Sequence, residues 1–190
     1  MSYLIVYAHP NSKSFNHAIR EEVEAKLKKA GHEYVVRDLY EMNFEPNLSV
    51  NDFVSLMQGK TPGDIKKEQD HIRNADVIVF IHPIWWYSMP AILKGYIDRI
   101  FSHGFAYKFD ENGLQGLLPD KKIVILNTTG GSGEYYAESG FDDALQKTLE
   151  EGIFRLCGMK VLLHKYFYAV PSVDDAARKK MLEEIHGMDF

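Results

Sequence analysis

The 190-residue chain predicts a single α/β domain, a five-stranded parallel sheet of order 2-1-3-4-5 sandwiched between two layers of helices. Three observations carry this prediction. Five short apolar runs, at 3–8, 33–39, 75–82, 122–129 and 160–170, alternate with stretches patterned as helices. Strands alternating with helices require parallel pairing through right-handed crossovers. The first run leads through a polar turn straight into a helix, the first half of a phosphate-binding βα unit.

Taken in order, Tyr3–Ala8 is too short and too rich in β-formers to be anything but a buried strand. His9–Ser14 forms the turn, and Ser14 is placed to cap the helix over 15–30. Phe15, Ile19, Val23 and Leu27 make the apolar stripe of that helix, and Gly31 ends it. Glu33–Leu39 is the second strand. Residues 38–62 wander over the surface with a short helix near 50–58, and 64–75 is a polar helix. Ala75–His82 is the third strand, followed by the aromatic turn Pro83–Pro90 and a helix over 91–101. Residues 102–121 read as a second long loop. Lys122–Thr129 is the fourth strand, Gly130–Gly133 its exit turn, and 142–156 a helix closed by Gly158. Lys160–Val170 is the fifth strand, and Ser172 or Asp174 caps a last helix lined by Ala177, Met181 and Ile185. Five strands and the missing G-x-G-x-x-G after the first favour the flavodoxin-like order over the six-stranded dinucleotide fold.

Composition narrows the function classes. A 45% hydrophobic, 26% charged chain with net charge −5 and no basic block is an ordinary globular protein with no nucleic-acid surface. Cys157 is the only cysteine, so an intrachain disulfide and a cysteine metal site are both impossible, which fits a reducing cytoplasm. Residues 3–8 are too short for a signal-peptide core, and no window reaches the ~18 apolar residues of a membrane span.

Ligands of such sheets sit at the carboxyl ends of the strands, so the turns after the first, third and fourth should converge. The first offers His9, Ser14, Phe15 and Asn16 beside a helix N-terminus, suited to phosphate, although capping and core packing also account for them. The second offers Pro83, Ile84, Trp85, Trp86 and Tyr87, aromatic side chains that pack on the core, on a partner or on a planar ligand. The third offers Thr128, Thr129, Gly130 and Gly131, where the backbone approaches a ligand closely or simply forms an exit loop. Tyr135 and Tyr136 follow, either of which can present a phenol. Phosphate, a flat apolar wall and backbone donors together describe a flavin mononucleotide site.

With these turns assembled, the chain resembles the NAD(P)H:quinone oxidoreductase family, the DT-diaphorase-like branch of the flavodoxin-like flavoproteins. The likeness runs along nearly the whole chain. Its marks are Ala8-His9 with Ser14-Phe15-Asn16, Asp38-Leu39-Tyr40 with Met42-Asn43-Phe44, Pro83 through Gly95, Phe105-Ala106-Tyr107, Thr128 through Gly133, and Cys157-Gly158. The resemblance implies a homodimer binding flavin at the subunit interface, reduced by NADH or NADPH and reoxidised by quinone-like acceptors. Carried over, His9, Ser14, Phe15 and Asn16 would hold the phosphate and ribityl end. Pro83, Ile84, Trp86 and Tyr87 would hold the ring, with Trp85 beside them and Thr128, Thr129, Gly130 and Gly131 at the polar edge. Tyr136 matches the family tyrosine facing the ring and would be the catalytic donor.

The departures are informative. Asp142 stands where the animal enzymes have a histidine that assists charge relay, Lys13 where they have threonine, and Trp85 where they have glutamine. The long C-terminal extension that helps bind the adenine end of FAD is missing, so FMN is the expected flavin, with FAD the alternative. The expected mechanism is a ping-pong exchange of hydride in one pocket. Two other readings are a non-catalytic regulatory subunit with a membrane-protein partner of the potassium-efflux type, and a one-electron shuttle like flavodoxin.

Overall fold

The computed structural model describes residues 1–190. Its parallel sheet is formed by β1 (Ser2–Tyr7), β2 (Glu33–Asp38), β3 (Val77–Pro83), β6 (Lys122–Thr128) and β7 (Lys160–Phe167), in the order β2-β1-β3-β6-β7. This is the predicted 2-1-3-4-5 order with the fourth and fifth strands renumbered, because a separate hairpin, β4 (Tyr107–Asp110) and β5 (Gly113–Gly116), precedes them.

Alternation along the central strands builds two cores. Tyr3, Ile5 and Tyr7 face one side with Ile19, Val23 and Leu27 of α1 (Phe15–Lys29) and Ile185 of α7 (Asp175–His186). Leu4, Val6 and Ala8 face the other with Ile65 and Ile72 of α3 (Gly63–Asn74), Leu93, Tyr96 and Ile100 of α4 (Ala91–Ile100), and Phe154. Strands buried on both faces need apolar residues at nearly every position, which is why β1 and β3 read as continuous runs. No helix is long and apolar enough to cross a membrane.

Three expectations are corrected. The 102–121 loop contains the β4–β5 hairpin, whose strands are only four residues each and too short to show a period. The helix expected over 142–156 is present over Phe141–Arg155 but changes its winding, and a further short helix precedes it. A short α5 (Gly133–Ser139) ends at left-handed Gly140 (φ +74°), then α6 (Phe141–Leu145) continues as a π-helical segment, Gln146–Arg155. That segment buries Leu149, Glu150 and Phe154 together. The fifth strand stops at Phe167 rather than running to Val170, because Ala169 takes a positive φ of 53° and turns the chain.

The remaining helix, α2 (Val50–Met57), is capped by Ser49 and Asp52 in a reciprocal box. Asp52 also pairs with Arg99 of α4 at 3.2 Å, and both are buried. The pair fixes α2 by its polar side and turns Val50, Phe53, Val54 and Met57 out to solvent.

Candidate active site

The first turn consumes most of its own backbone donors. Ser14 caps α1, its Oγ accepting from the His17 amide at 3.1 Å. The Asn11 side chain accepts from the Lys13 amide at 2.9 Å, and its carbonyl accepts from the Ser14 amide at 3.1 Å. The amides of Phe15 and Asn16, in the first turn of α1, are left for a ligand, as helix geometry requires. His9 Nδ1 accepts from the Asn11 amide at 3.1 Å, so the ring proton of the neutral form sits on Nε2. Burial pushes its pKa below the ordinary imidazole range, which keeps it in that neutral form.

Asn16 is the unusual residue of this corner. It is only 3% exposed, and its Nδ2 donates to Thr128 Oγ1 at 2.8 Å. Its Oδ1 is buried with no partner in the chain. A buried amide oxygen left unpaired costs about 1–3 kcal/mol, so it marks a place where a hydrogen-bond donor belongs.

The second turn breaks local rules. Trp85 and Ser88 exchange two backbone hydrogen bonds, at 2.9 and 3.1 Å, closing a two-residue hairpin turn. Its central residues, Trp86 and Tyr87, both have positive φ, +50° and +54°. That turn favours Asn-Gly, and each bulky side chain there costs roughly 1–2 kcal/mol. The result is a fixed display. Tyr87 stacks on Phe141 at 3.6 Å between centroids, its hydroxyl 3.3 Å from that of Tyr135. Trp85 meets the His9 ring at 5.6 Å. Trp86 stands 97% exposed at the tip.

The third turn closes the arrangement. Ile84 N–H donates to the Thr128 carbonyl at 2.8 Å, tying the second turn to β6. Thr129 Oγ1 donates to the Gly131 carbonyl at 2.8 Å, and Ser132 caps α5. A side chain at Gly130 would meet nothing within 4 Å, so this position is the open lip. One at Gly131 would come within 3.0 Å of the Tyr136 ring.

Together the turns enclose a cleft of about 320 Å³. Of the predicted residues, His9, Ser14, Phe15, Asn16, Pro83, Ile84, Trp85, Thr128, Thr129 and Gly130 line it. Gly131, Tyr136, Tyr87 and Trp86 do not. Tyr136 lies behind Gly131 among Tyr87, Phe141 and Tyr168, with ring centroids 5.7 Å away for Tyr87 and Tyr168. Burial, then the Asp142 charge, raises its pKa, so its phenol stays protonated. Asp142 accepts from the Tyr168 hydroxyl at 2.8 Å, and its carboxylate is occupied there. Trp86, expected to wall a ring, walls nothing within this chain.

Sequence reasoning missed Val170 and Pro171, which also line the cleft. They follow the last strand, and the rule that ligands gather at strand carboxyl ends applies there as well. It also missed a buried row, His82, Asn127, His164 and Glu150, just below the cleft. No group of three or more His, Cys, Asp or Glu is placed to hold a metal ion.

The family model described as flavodoxin-like fold matches residues 1–187. An NAD(P)H oxidoreductase of Haemophilus influenzae is 42% identical over 184 residues, 96% of this chain and 91% of that protein. NAD(P)H dehydrogenase (quinone) 1 of Rattus norvegicus is 36% identical over 200 residues, 95% of this chain and 73% of that protein. The solved NAD(P)H:quinone oxidoreductase from Methanothermobacter marburgensis superposes with a TM-score of 0.89 at 31% identity, covering 98% of this chain and 96% of that one.

Proposed function

The chain belongs to the flavodoxin-like family of NAD(P)H:quinone oxidoreductases, and on that premise we propose that it is a flavin-dependent NAD(P)H dehydrogenase passing hydride to quinone-like acceptors by a ping-pong route. The observation that carries the cofactor reading is the orphaned Asn16 Oδ1, buried between free helix amides and the open lip at Gly130. An acceptor so placed fits a hydroxylated chain ending in phosphate. FMN fits this corner, and FAD is the alternative.

Bound in the cleft, the flavin supplies the hydride-accepting and hydride-donating chemistry. The chain's own groups bind and orient. The Phe15 and Asn16 amides, the Ser14 corner and the Nε2–H of His9 hold the phosphate end at a positive helix terminus. Pro83, Ile84 and Trp85 form the apolar wall, and the unpaired amides of Gly130 and Gly131 are the backbone donors opposite. The Tyr136 hydroxyl makes no hydrogen bond within the chain, and Tyr87 and Phe141 hold its ring, so it serves as a fixed neutral donor behind Gly131. One open cleft serves donor and acceptor in turn. Either NADH or NADPH is accommodated by this reading.

We also place a second copy of the chain against this face. Trp86, Phe109, Leu114 and the α2 stripe expose more apolar surface than a monomer leaves wet. A homodimer would cover Trp86 and supply the missing outer wall. Light scattering should give twice 21.8 kDa. The protein as purified should be yellow and release FMN on denaturation. A colourless protein that takes up neither FMN nor FAD overturns the reading.

A further inference from the structure

Beneath the cleft, one file of hydrogen bonds crosses three strands, and its direction can be assigned atom by atom. Asn127 Nδ2 lies 3.1 Å from the His82 carbonyl oxygen, which only accepts, so the carboxamide cannot be turned over. The second Nδ2 hydrogen goes to His82 Nε2 at 3.0 Å. The His82 proton therefore sits on Nδ1 and is donated to the Pro83 carbonyl at 3.0 Å. At the other end, Asn127 Oδ1 lies 2.8 Å from His164 Nε2, which must carry a hydrogen. His164 Nδ1 then faces Glu150 Oε1 at 3.0 Å. A bare ring lone pair against a carboxylate at that distance is repulsive, so a proton lies between them. His164 and Glu150 together hold one proton more than a neutral imidazole and a carboxylate.

The groups around this pair are few. Arg155 Nη2 holds the other Glu150 oxygen at 3.2 Å from the outer side. The Tyr166 hydroxyl is 3.4 Å from His164 Nδ1, with Tyr168, Tyr136 and Asp142 beyond it and His82 on the inner side. Burial pushes the His164 pKa down and outweighs the pull of Glu150 and then Asp142, so the extra proton belongs to the Nδ1–Oε1 hydrogen bond of the pair and not to the imidazole alone. From His164 Nε2 inward, through Asn127 Nδ2 to His82 Nδ1, each N–H along the file points toward the cleft, so its positive end falls on the Pro83–Ile84 peptide. That peptide is tied at both ends, its C=O by His82 and its N–H by the Thr128 carbonyl, and Pro83, Ile84 and Thr128 line the cleft.

We propose that the proton shared by His164 and Glu150 aligns this file and so fixes the Pro83–Ile84 peptide against the cleft, coupling ligand affinity to a buried proton outside the site. His82, Asn127, His164 and Glu150 are thus positioning residues. The part concerning affinity rests on the flavin reading above. When the proton leaves, the Tyr166 hydroxyl is the donor next to His164 Nδ1, and the His164 Nε2–H bond to Asn127 loses the charge that polarises it.

The test follows the His164 ring nitrogens and the Ile84 amide by ¹⁵N NMR in the protein without added ligand, from about pH 5 to about pH 10, a span enclosing the ordinary imidazole range. FMN affinity is measured over the same range by fluorescence quenching. Wild type should show His164 Nε2 protonated and a proton in the Nδ1–Glu150 hydrogen bond at neutral pH, with one proton lost on the alkaline side and the Ile84 amide shifting at the same midpoint. FMN should bind about tenfold more weakly beyond that midpoint, the equivalent of one pKa unit of coupling. Glu150→Gln keeps a hydrogen-bonding partner without the charge, and His164→Gln keeps a donor to Asn127. In both, the Ile84 shift and the step in FMN affinity should vanish. No proton between His164 Nδ1 and Glu150 at neutral pH, an Ile84 amide that ignores His164, or the same FMN profile in all three proteins overturns the proposal. If no protein binds FMN at any pH while Ile84 still follows His164, the flavin reading falls and the proton-coupled peptide stands.

Discussion

The two ends of the cleft are built by opposite means. At the phosphate end, local rules are obeyed. Ser14 caps and Asn11 folds the turn, which leaves the Phe15 and Asn16 amides and the buried Asn16 Oδ1 without partners. At the aromatic end, local rules are broken. Two bulky residues occupy left-handed positions, and Trp86 is thrust into solvent. The first end offers a ligand what a satisfied turn leaves over. The second holds a display that its own residues oppose, and strain of this kind persists only where surrounding structure enforces it. Here the enforcement is visible, in the Tyr87–Phe141 stack and in the peptide tied to His82 and Thr128.

The contrast is sharpest at Asn16. Asn16→Leu removes the orphan acceptor and its bond to Thr128, and flavin binding should weaken by about 3 kcal/mol, roughly a hundredfold. A titration of the variant with FMN checks this. Unchanged affinity would mean that the phosphate end contributes through helix amides alone.

The root of the aromatic end should be acid-sensitive. Complete burial lowers the His82 pKa to about 4, from an ordinary 6.5. Because the folded value lies below the unfolded one, the unfolded chain binds the extra proton in this window. Stability is therefore full above about pH 6.5 and falls as pH drops toward about 4, by about 2 kcal/mol between pH 7 and pH 5. Urea midpoints across this range measure the slope. His82→Asn, which retains a short donor toward Pro83 without a titrating ring, should flatten it.

Much of this architecture was legible beforehand, and the parts that were not share a physical cause. The order of the sheet, the Ser14 cap and the convergence of three turns follow from periodicity and turn chemistry, which are local. The β4–β5 hairpin and the break at Gly140 escaped because each piece is shorter than the pattern that would reveal it. His82 and Asn127 escaped because a polar residue inside an apolar strand shows its meaning only when its cross-strand neighbour is known. The left-handed turn escaped because Trp86-Tyr87 contradicts the residue preference of the conformation it adopts.

That contradiction can be relieved. Trp86→Asn suits a positive φ and sacrifices no contact inside the chain, so the fold should gain about 1 kcal/mol. The same variant should lose dimerisation and turnover if the display serves a partner subunit. Denaturation and light scattering on one sample decide both, and a variant neither more stable nor less dimeric removes the case for maintained strain. The smallest effect is expected at Asp142. Asp142→Asn still accepts from Tyr168, so reduction by NAD(P)H should change by less than about twofold, within the ±0.5 kcal/mol of an uncritical substitution. A crippled Asp142→Asn would mean that its carboxylate, and not the Tyr136 hydroxyl, manages the proton.

The most direct test of the whole account is an anaerobic stopped-flow experiment on the flavin-loaded protein. Mixing with NADH or NADPH should bleach the visible flavin absorbance in a single phase, and a quinone added afterwards, with the nicotinamide already gone, should restore it in full. Absorbance that bleaches only when nicotinamide and quinone are present together would contradict the one-cleft exchange, and absorbance that never bleaches would contradict the enzyme.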